Sequence, residues 1–410
     1  MFFSSKNNAK SDTLHIAILG SGTTGIIQLL SCISILPDAK IDVIFDNNIS
    51  IFGIGESSTP QLGDLISRTF NLSQNSVYNK FLGTPKLGVK WSGWGQYKNF
   101  MIPFLINRIG FHFDTTAFCN FFISILKNNP NIKFINRKVD QLNFSKNKIA
   151  IFEKQYDYVI DCSGGTKLDN TYASPGFKTV DRGLIYKRPK IGSWNYTVHL
   201  AHENGWMFGI PLGERQTWGY LYNNQITCED EALSKMKKYF PDEDIQIIKY
   251  EWEPRYSKFL VDKTKRYFRN GNKLFFFEPL HGLSNFYYTH FADKISFSIL
   301  KGVNHNELNI EYQKMIDGLQ DSMAFHYQHG SKYESVFWNQ IVEKSKKWLH
   351  GNNYEKLLEK GDYNFSIGNL HALYDLGTIF CSFKNNLSKY YHCDVRYFEE
   401  EFGTSPEINL

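Results

Sequence analysis

The chain has 410 residues, enough for one large core or two smaller ones. A hydrophobic share of 42% with 21% charged residues excludes a disordered chain, and a net charge of +5 without long like-charge runs excludes a nucleic-acid footprint. Six cysteines without a C-x-x-C pair suggest neither a zinc site nor a disulfide framework, and no window approaches the roughly 18 apolar residues of a membrane span. The opening stretch MFFSSKNNAKSDT lacks a long apolar core, so a soluble, cytoplasmic protein with reduced thiols, no metal and no membrane partner is expected.

TLHIAILG is a nearly continuous apolar run, as in a strand buried on both faces of a parallel sheet. SGTTG turns the chain, IIQLLSCISIL reads as a helix and KIDVIFD as a second buried strand, completing a β-α-β unit. Helical and loop segments are expected to about residue 130, followed by short strands in KFINRKV, QLNFSK and KIAIFEK. DYVIDCSGG returns to the buried type and should rejoin the first sheet. Between about 185 and 260, SWNYTVHL, GWMFGIPL and TWGYLYN read as an aromatic sheet over a pocket, and after EPLHG the chain turns helical. The expected division is a nucleotide-binding core over 14–185, rejoined by 262–305, a substrate-side sheet over 186–261 and a helical part over 306–410.

Gly20-Ser21-Gly22-Thr23-Thr24-Gly25 forms a G-x-G-x-x-G between strand and helix. Such glycines permit a tight turn, close approach of backbone to a pyrophosphate and close helix packing, while the helix N-terminus faces the anion. The next strand ends in Asp46, 21 residues after Gly25, where a carboxylate can accept hydrogen bonds from a ribose. Together these predict a bound dinucleotide. GIGESSTP, which sets Glu56 and the hydroxyls of Ser57, Ser58 and Thr59 between two glycines and a proline, reads as a turn against something polar and flat.

GSGTTG, GIGESSTP, PKLGVKW, DYVIDCSGG, GWMFGIP and FFFEPLHG together resemble the flavin-dependent halogenases of the tryptophan-halogenase family, over most of residues 14–290. The resemblance implies an α/β fold: an FAD-binding Rossmann-type core of the flavin monooxygenase kind, with an interleaved aromatic sheet and a C-terminal helical part. It implies FAD held by Gly20, Gly22, Thr23, Thr24, Gly25, Asp46, Glu56, Ser57 and Asn285. It also implies reduced flavin from a separate flavin reductase, a halide, O2 and a small electron-rich aromatic substrate, and it is open to an oligomer. Lys86 in PKLGVKW stands where the family carries its essential lysine, which directs a hypohalous species; Lys90 is the lesser candidate. An ammonium in a partly desolvated tunnel suits that role, because lysine responds strongly to burial.

The family's W-x-W-x-I-P, which separates substrate from flavin, appears as Trp206, Phe208, Ile210 and Pro211, with Phe208 in place of the second tryptophan. Its E-P-L-E-S-T-G becomes Glu278-Pro279-Leu280-His281-Gly282-Leu283-Ser284. Backbone amides of Leu283 and Ser284 can still hold the halide, since amide donors do not depend on side-chain type. His281 replaces the glutamate that cooperates with the lysine, leaving His281 or Glu278 as the partner of Lys86. RNGNKLFFFEPL is shorter than the family's Gly/Ala-rich stretch, and GFHFD, with His112 and Asp114, follows Trp94 after only a short link. The favoured activity is a two-component halogenase. An aromatic hydroxylase and a non-catalytic FAD-binding protein are the alternatives.

Overall fold

The computed structural model describes residues 13–351 apart from 50, 52, 54–56, 72–77, 96–98, 105–108, 165–168 and 242–245. The apolar run becomes the strand His15–Leu19, at the centre of a five-stranded sheet. Its neighbours are Tyr158–Asp161 and Lys40–Phe45, flanked by Tyr267–Arg269 and Ile132–Asn136, and every pairing is parallel. Ile16 and Ile18 join the main core on one face, while Ala17 and Leu19 join a second cluster on the other. Burial on both faces is why this strand carries no polar alternation.

Thr23–Ile35 follows as a helix, and it is gripped by the long helix Leu283–Lys301. Gln28, fully buried, joins the two and a third segment: its amide donates to Ala292 O and Ser296 Oγ, both at 3.3 Å, and its carbonyl accepts from Asn270 Nδ2 at 3.1 Å. Ser31 Oγ adds a bond to Asp293 Oδ1 at 2.7 Å.

A seven-stranded sheet faces this core, in the order Ile247–Glu251, Arg182–Pro189, Arg215–Tyr222, Gly205–Pro211, Thr197–His202, Gly88–Ser92 and Asn99–Pro103. Alternation sorts its side chains: Trp206, Phe208 and Ile210 enter the main core, whereas Met207, Val198 and Leu200 pack on the outer face. The helices His305–Tyr327 and Val336–Gly351 close one end, where Trp338 Nε1 donates to His202 O at 2.8 Å. The remainder of the expected helical part, 352–410, lies outside the described residues.

One expectation needs correction. The region from Asp46 to residue 130, read as helix and loop, also contains the strands Thr84–Lys86, Gly88–Ser92, Asn99–Pro103 and Gly110–His112. They are short, and Gly88–Ser92 is held by a parallel partner more than a hundred residues away, Thr197–His202. Long-range pairing of this kind leaves little local periodicity to read.

Replacing Gln28 with Ala removes three hydrogen bonds at the junction of three elements and leaves one hydrogen of the buried Asn270 amide without its acceptor, while Asn270 keeps Tyr288 O and Ser296 keeps Ser31. Denaturant unfolding of Gln28→Ala should show a loss of about 2 kcal/mol with an unchanged m-value. A loss below about 0.5 kcal/mol would show that the junction does not depend on this side chain.

Candidate active site

A cavity of about 1000 Å³ opens where the two sheets meet. The end of His15–Leu19 and the start of the next helix bring Gly20, Gly22, Thr23 and Thr24 to its wall, and Asp46 stands at the end of the adjacent strand. Gly20 has φ +100°, and a Cβ there would meet Cys162 O at 2.8 Å. At Gly25 a Cβ would lie 2.0 Å from Gly20 O, so the helix and the preceding turn touch backbone to backbone. Gly22, the helix N-cap, is different: a Cβ there meets nothing within 4 Å. This open cradle at a helix N-terminus fits a dinucleotide pyrophosphate. Asp46 Oδ1 accepts from Asn48 N and Nδ2, both at 2.9 Å, which fixes the carboxylate at the rim.

Ser57, Thr197, His199, Phe208, Ile210, Gly282, Ser284 and Asn285 line the opposite end. Lys86 lies here, completely buried, and its Nζ donates to Ser57 Oγ at 2.8 Å and sits 5.4 Å from the Phe104 ring centroid. Asn285 Nδ2 donates to Ser57 O at 2.7 Å, tying the Ser57 segment to the first turn of Leu283–Lys301. Gly282 caps that helix with φ +68°, and a Cβ on it would be 3.6 Å from Lys86 Nζ. The helix start and the buried ammonium therefore face the same small volume, and both favour an anion.

Two neutral histidines flank the lysine. Burial, followed by the Lys86 charge, holds both His112 and His199 well below the ordinary imidazole value. His112 Nε2 lies 2.9 Å from Thr197 Oγ1, and its Nδ1 lies 3.2 Å from Thr84 Oγ1. Behind them Trp206 packs with its ring centroid 4.8 Å from His199 and 6.1 Å from Trp94 in a buried aromatic cluster with Trp91, Tyr327 and Trp338.

The expected site residues thus separate into groups. Gly20, Gly22, Thr23, Thr24, Asp46, Ser57, Asn285, Ser284, Phe208 and Ile210 line one cavity, with Lys86 bonded to Ser57 at its end. Trp206 lies behind the wall in the aromatic cluster, and Pro211 O accepts from Thr84 Oγ1 at 2.7 Å. Glu56 lies outside the described residues, as do the side chains of His281 and Leu283; the backbone of His281 runs through the turn Leu280–Gly282. The Glu278 carboxylate is engaged elsewhere: it accepts from Thr179 Oγ1 and from Tyr327 OH at 2.9 and 3.1 Å. Lys90 is half-buried on the Gly88–Ser92 strand.

Thr84, Thr197 and His199 were not anticipated as site residues. Thr197 and His199 occupy alternate positions of one strand, so both enter the cavity, and polar side chains two apart in an aromatic segment were the available signal.

The sequence model of the family described as Tryptophan halogenase matches residues 15–156 and 107–352, nearly the whole described chain. The chain belongs to the tryptophan halogenase family. The tryptophan 7-halogenase of Kutzneria sp. (strain 744) is 27% identical over 211 residues, 46% of this chain and 38% of that relative. The tryptophan 6-halogenase of Streptomyces albogriseolus is 27% identical over 212 residues, again 38% of its length. The matched stretch therefore spans well under half of these curated relatives. A tryptophan halogenase from Shewanella frigidimarina NCIMB 400 superposes with a TM-score of 0.78 at 16% identity, covering 95% of this chain and 92% of that one. A flavin-dependent halogenase from Brevundimonas sp. BAL3 gives 0.72 at 14% identity, with 95% and 94% covered. At these identities the structural likeness establishes the fold, an α/β core with an interleaved sheet. Among the described residues no helix is long and apolar enough to cross a membrane.

Two tests follow from this geometry. Gly22→Val should fold like the parent, because its Cβ meets nothing, yet lose FAD binding by at least about tenfold in a fluorescence titration. Equal affinity would remove the cradle from the cofactor site. Burial raises the Glu278 carboxyl from 4.5 to about 7. Its folded value exceeds the unfolded one, so its protonated form favours the native state below about pH 4.5, and that advantage is lost as pH rises to about 7. Glu278→Gln should abolish this decline, on the order of 3 kcal/mol, in denaturation curves across that range. The same pH dependence in parent and Glu278→Gln would contradict the raised value, because the buried histidines, held below their ordinary value, act on both alike.

Proposed function

We propose that this protein is a two-component flavin-dependent halogenase acting on an electron-rich aromatic substrate such as an indole. The observation that carries this reading is the completely buried Lys86 ammonium beside Ser57 and the start of the Leu283–Lys301 helix, at the end of a cavity that fits FAD. Gly20, Gly22, Thr23, Thr24, Asp46, Ser57 and Asn285 would hold FAD. When bound in reduced form, supplied by a separate reductase, FAD would provide the chemistry by which O2 oxidises a halide.

The chain's own residues do the rest. Backbone amides of Leu283 and Ser284 at the helix start hold the halide through their partial positive charge. Phe208 and Ile210 form a wall against the flavin side and exclude water from it. Lys86 binds the hypohalous oxygen by hydrogen bonding, or takes the halogen on its nitrogen, and directs it to a substrate carbon. His281 stands where the family carries the cooperating glutamate, and it is the partner we assign to Lys86 at the substrate. Glu278 is retained as the alternative partner, although its carboxylate is bonded to Thr179 and Tyr327.

Lys86→Ala should leave the rate of flavin reoxidation within about twofold and lower halogenated product by about 100-fold or more, with Lys86→Arg failing to restore it. The assay supplies FAD, a reductase, O2 and each halide with a panel of indoles and phenols, read by mass spectrometry. Product that does not require halide would favour a hydroxylase. Undiminished halogenation in Lys86→Ala would remove the lysine from the mechanism.

A further inference from the structure

Around Lys86 the hydrogen bonds can be given a direction, and the starting point is a carbonyl. Pro211 O can only accept, so the Thr84 hydroxyl spends its hydrogen there, at 2.7 Å. Thr84 Oγ1 is then an acceptor towards His112 Nδ1 at 3.2 Å, and the neutral ring must carry its hydrogen on Nδ1. The other nitrogen, Nε2, is left as an acceptor, and Thr197 Oγ1 at 2.9 Å donates to it. With its own hydrogen committed, Thr197 Oγ1 can only accept from Ser57 Oγ at 3.5 Å, the longest link in the series. Ser57 Oγ in turn accepts from the Lys86 ammonium at 2.8 Å. All of these side chains are buried.

We infer that Lys86, Ser57, Thr197 and His112 form a one-way proton wire, in which His112 is a positioning residue that holds the proton Lys86 must release before its nitrogen can take a halogen. This rests on the halogenase reading. The step balances without a further reagent. Lys86 Nζ–H breaks as Ser57 Oγ gains that proton, Ser57 passes its own to Thr197, and Thr197 passes its own to His112 Nε2. The result is a neutral amine and an imidazolium, with net charge unchanged.

Two features support the assignment. The Lys86 charge is the one that, after burial, depresses His112, so the imidazole becomes a better base as the lysine loses its proton. Ser57 and His112 also form a backbone bridge between their segments, which fixes the hydroxyl and the ring to one frame. The groups acting on the pair are Lys86 itself from Thr84–Lys86 and His199 from Thr197–His202, which is held neutral in the same way. The wire gives this chain a proton acceptor at a site where the family's glutamate is replaced.

The test combines a spectrum with a matched pair of variants. In ¹⁵N NMR of the imidazoles, the signal lost in His112→Asn should be that of a neutral ring protonated on Nδ1. Thr197→Val removes the hydroxyl while keeping the shape. It should lower halogenation in a single turnover by about tenfold or more with FAD affinity unchanged, and Thr197→Ser should stay within about twofold of the parent. An Nε2-protonated ring, or a Thr197→Val variant that halogenates as fast as a halogenating parent, would overturn the wire alone. A parent without halogenated product would remove both the halogenase reading and this inference.

Discussion

A buried ammonium is the constraint on which the site depends. Removing a lysine from water is expensive unless its charge is shared with oriented dipoles. Here the Ser57 hydroxyl accepts a hydrogen bond from the ammonium, and the Phe104 face lies nearby. The elements that present these groups are themselves held together: Asn285 fixes Ser57 O, and Gly282 lets the helix begin within van der Waals reach of the lysine. Losing the Ser57 bond removes one of the oriented groups that offset the buried charge.

The two sheets serve this arrangement in different ways. The parallel sheet supplies a cradle that fits an anion at the end of its central strand, where Gly25 and Gly20 touch backbone to backbone. The larger sheet supplies a wall with two faces. Its inner positions carry Thr197, His199, Phe208 and Ile210 to the cavity, whereas Val198 and Met207 look outward into another core. One strand therefore contributes to polar chemistry and to packing within three successive residues, which is a direct consequence of the two-residue period.

Much of this was legible in the chain. The β-α-β unit announced itself because a doubly buried strand leaves an unbroken apolar run, and the glycine spacing that follows has a backbone reason. Lys86 was legible through its resemblance to a family pattern, since nothing in PKLGVKW alone separates it from other lysines. The strands at 84–112 are three to five residues long, too short to show a period, and Gly88–Ser92 has its parallel partner more than a hundred residues away. The hydroxyl links at Thr84 and Thr197 were hidden because their meaning lies in donor direction across five segments, and no periodicity encodes that. Glu278 was legible as a carboxylate of interest, but its partners Thr179 and Tyr327 come from elements that only the fold brings near it.

In the proposed mechanism the amides at the start of the Leu283–Lys301 helix hold a halide at the end of a flavin cavity, on the side facing Lys86. A crystal structure of the protein with FAD and bromide, using the anomalous signal of bromine, tests it most directly. FAD is expected along the Gly20–Gly25 turn, with a bromide between the Leu283 and Ser284 amides and the flavin, on the side facing Lys86. FAD in that cavity with no bromide at the helix start under saturating halide would contradict it, as would flavin bound elsewhere.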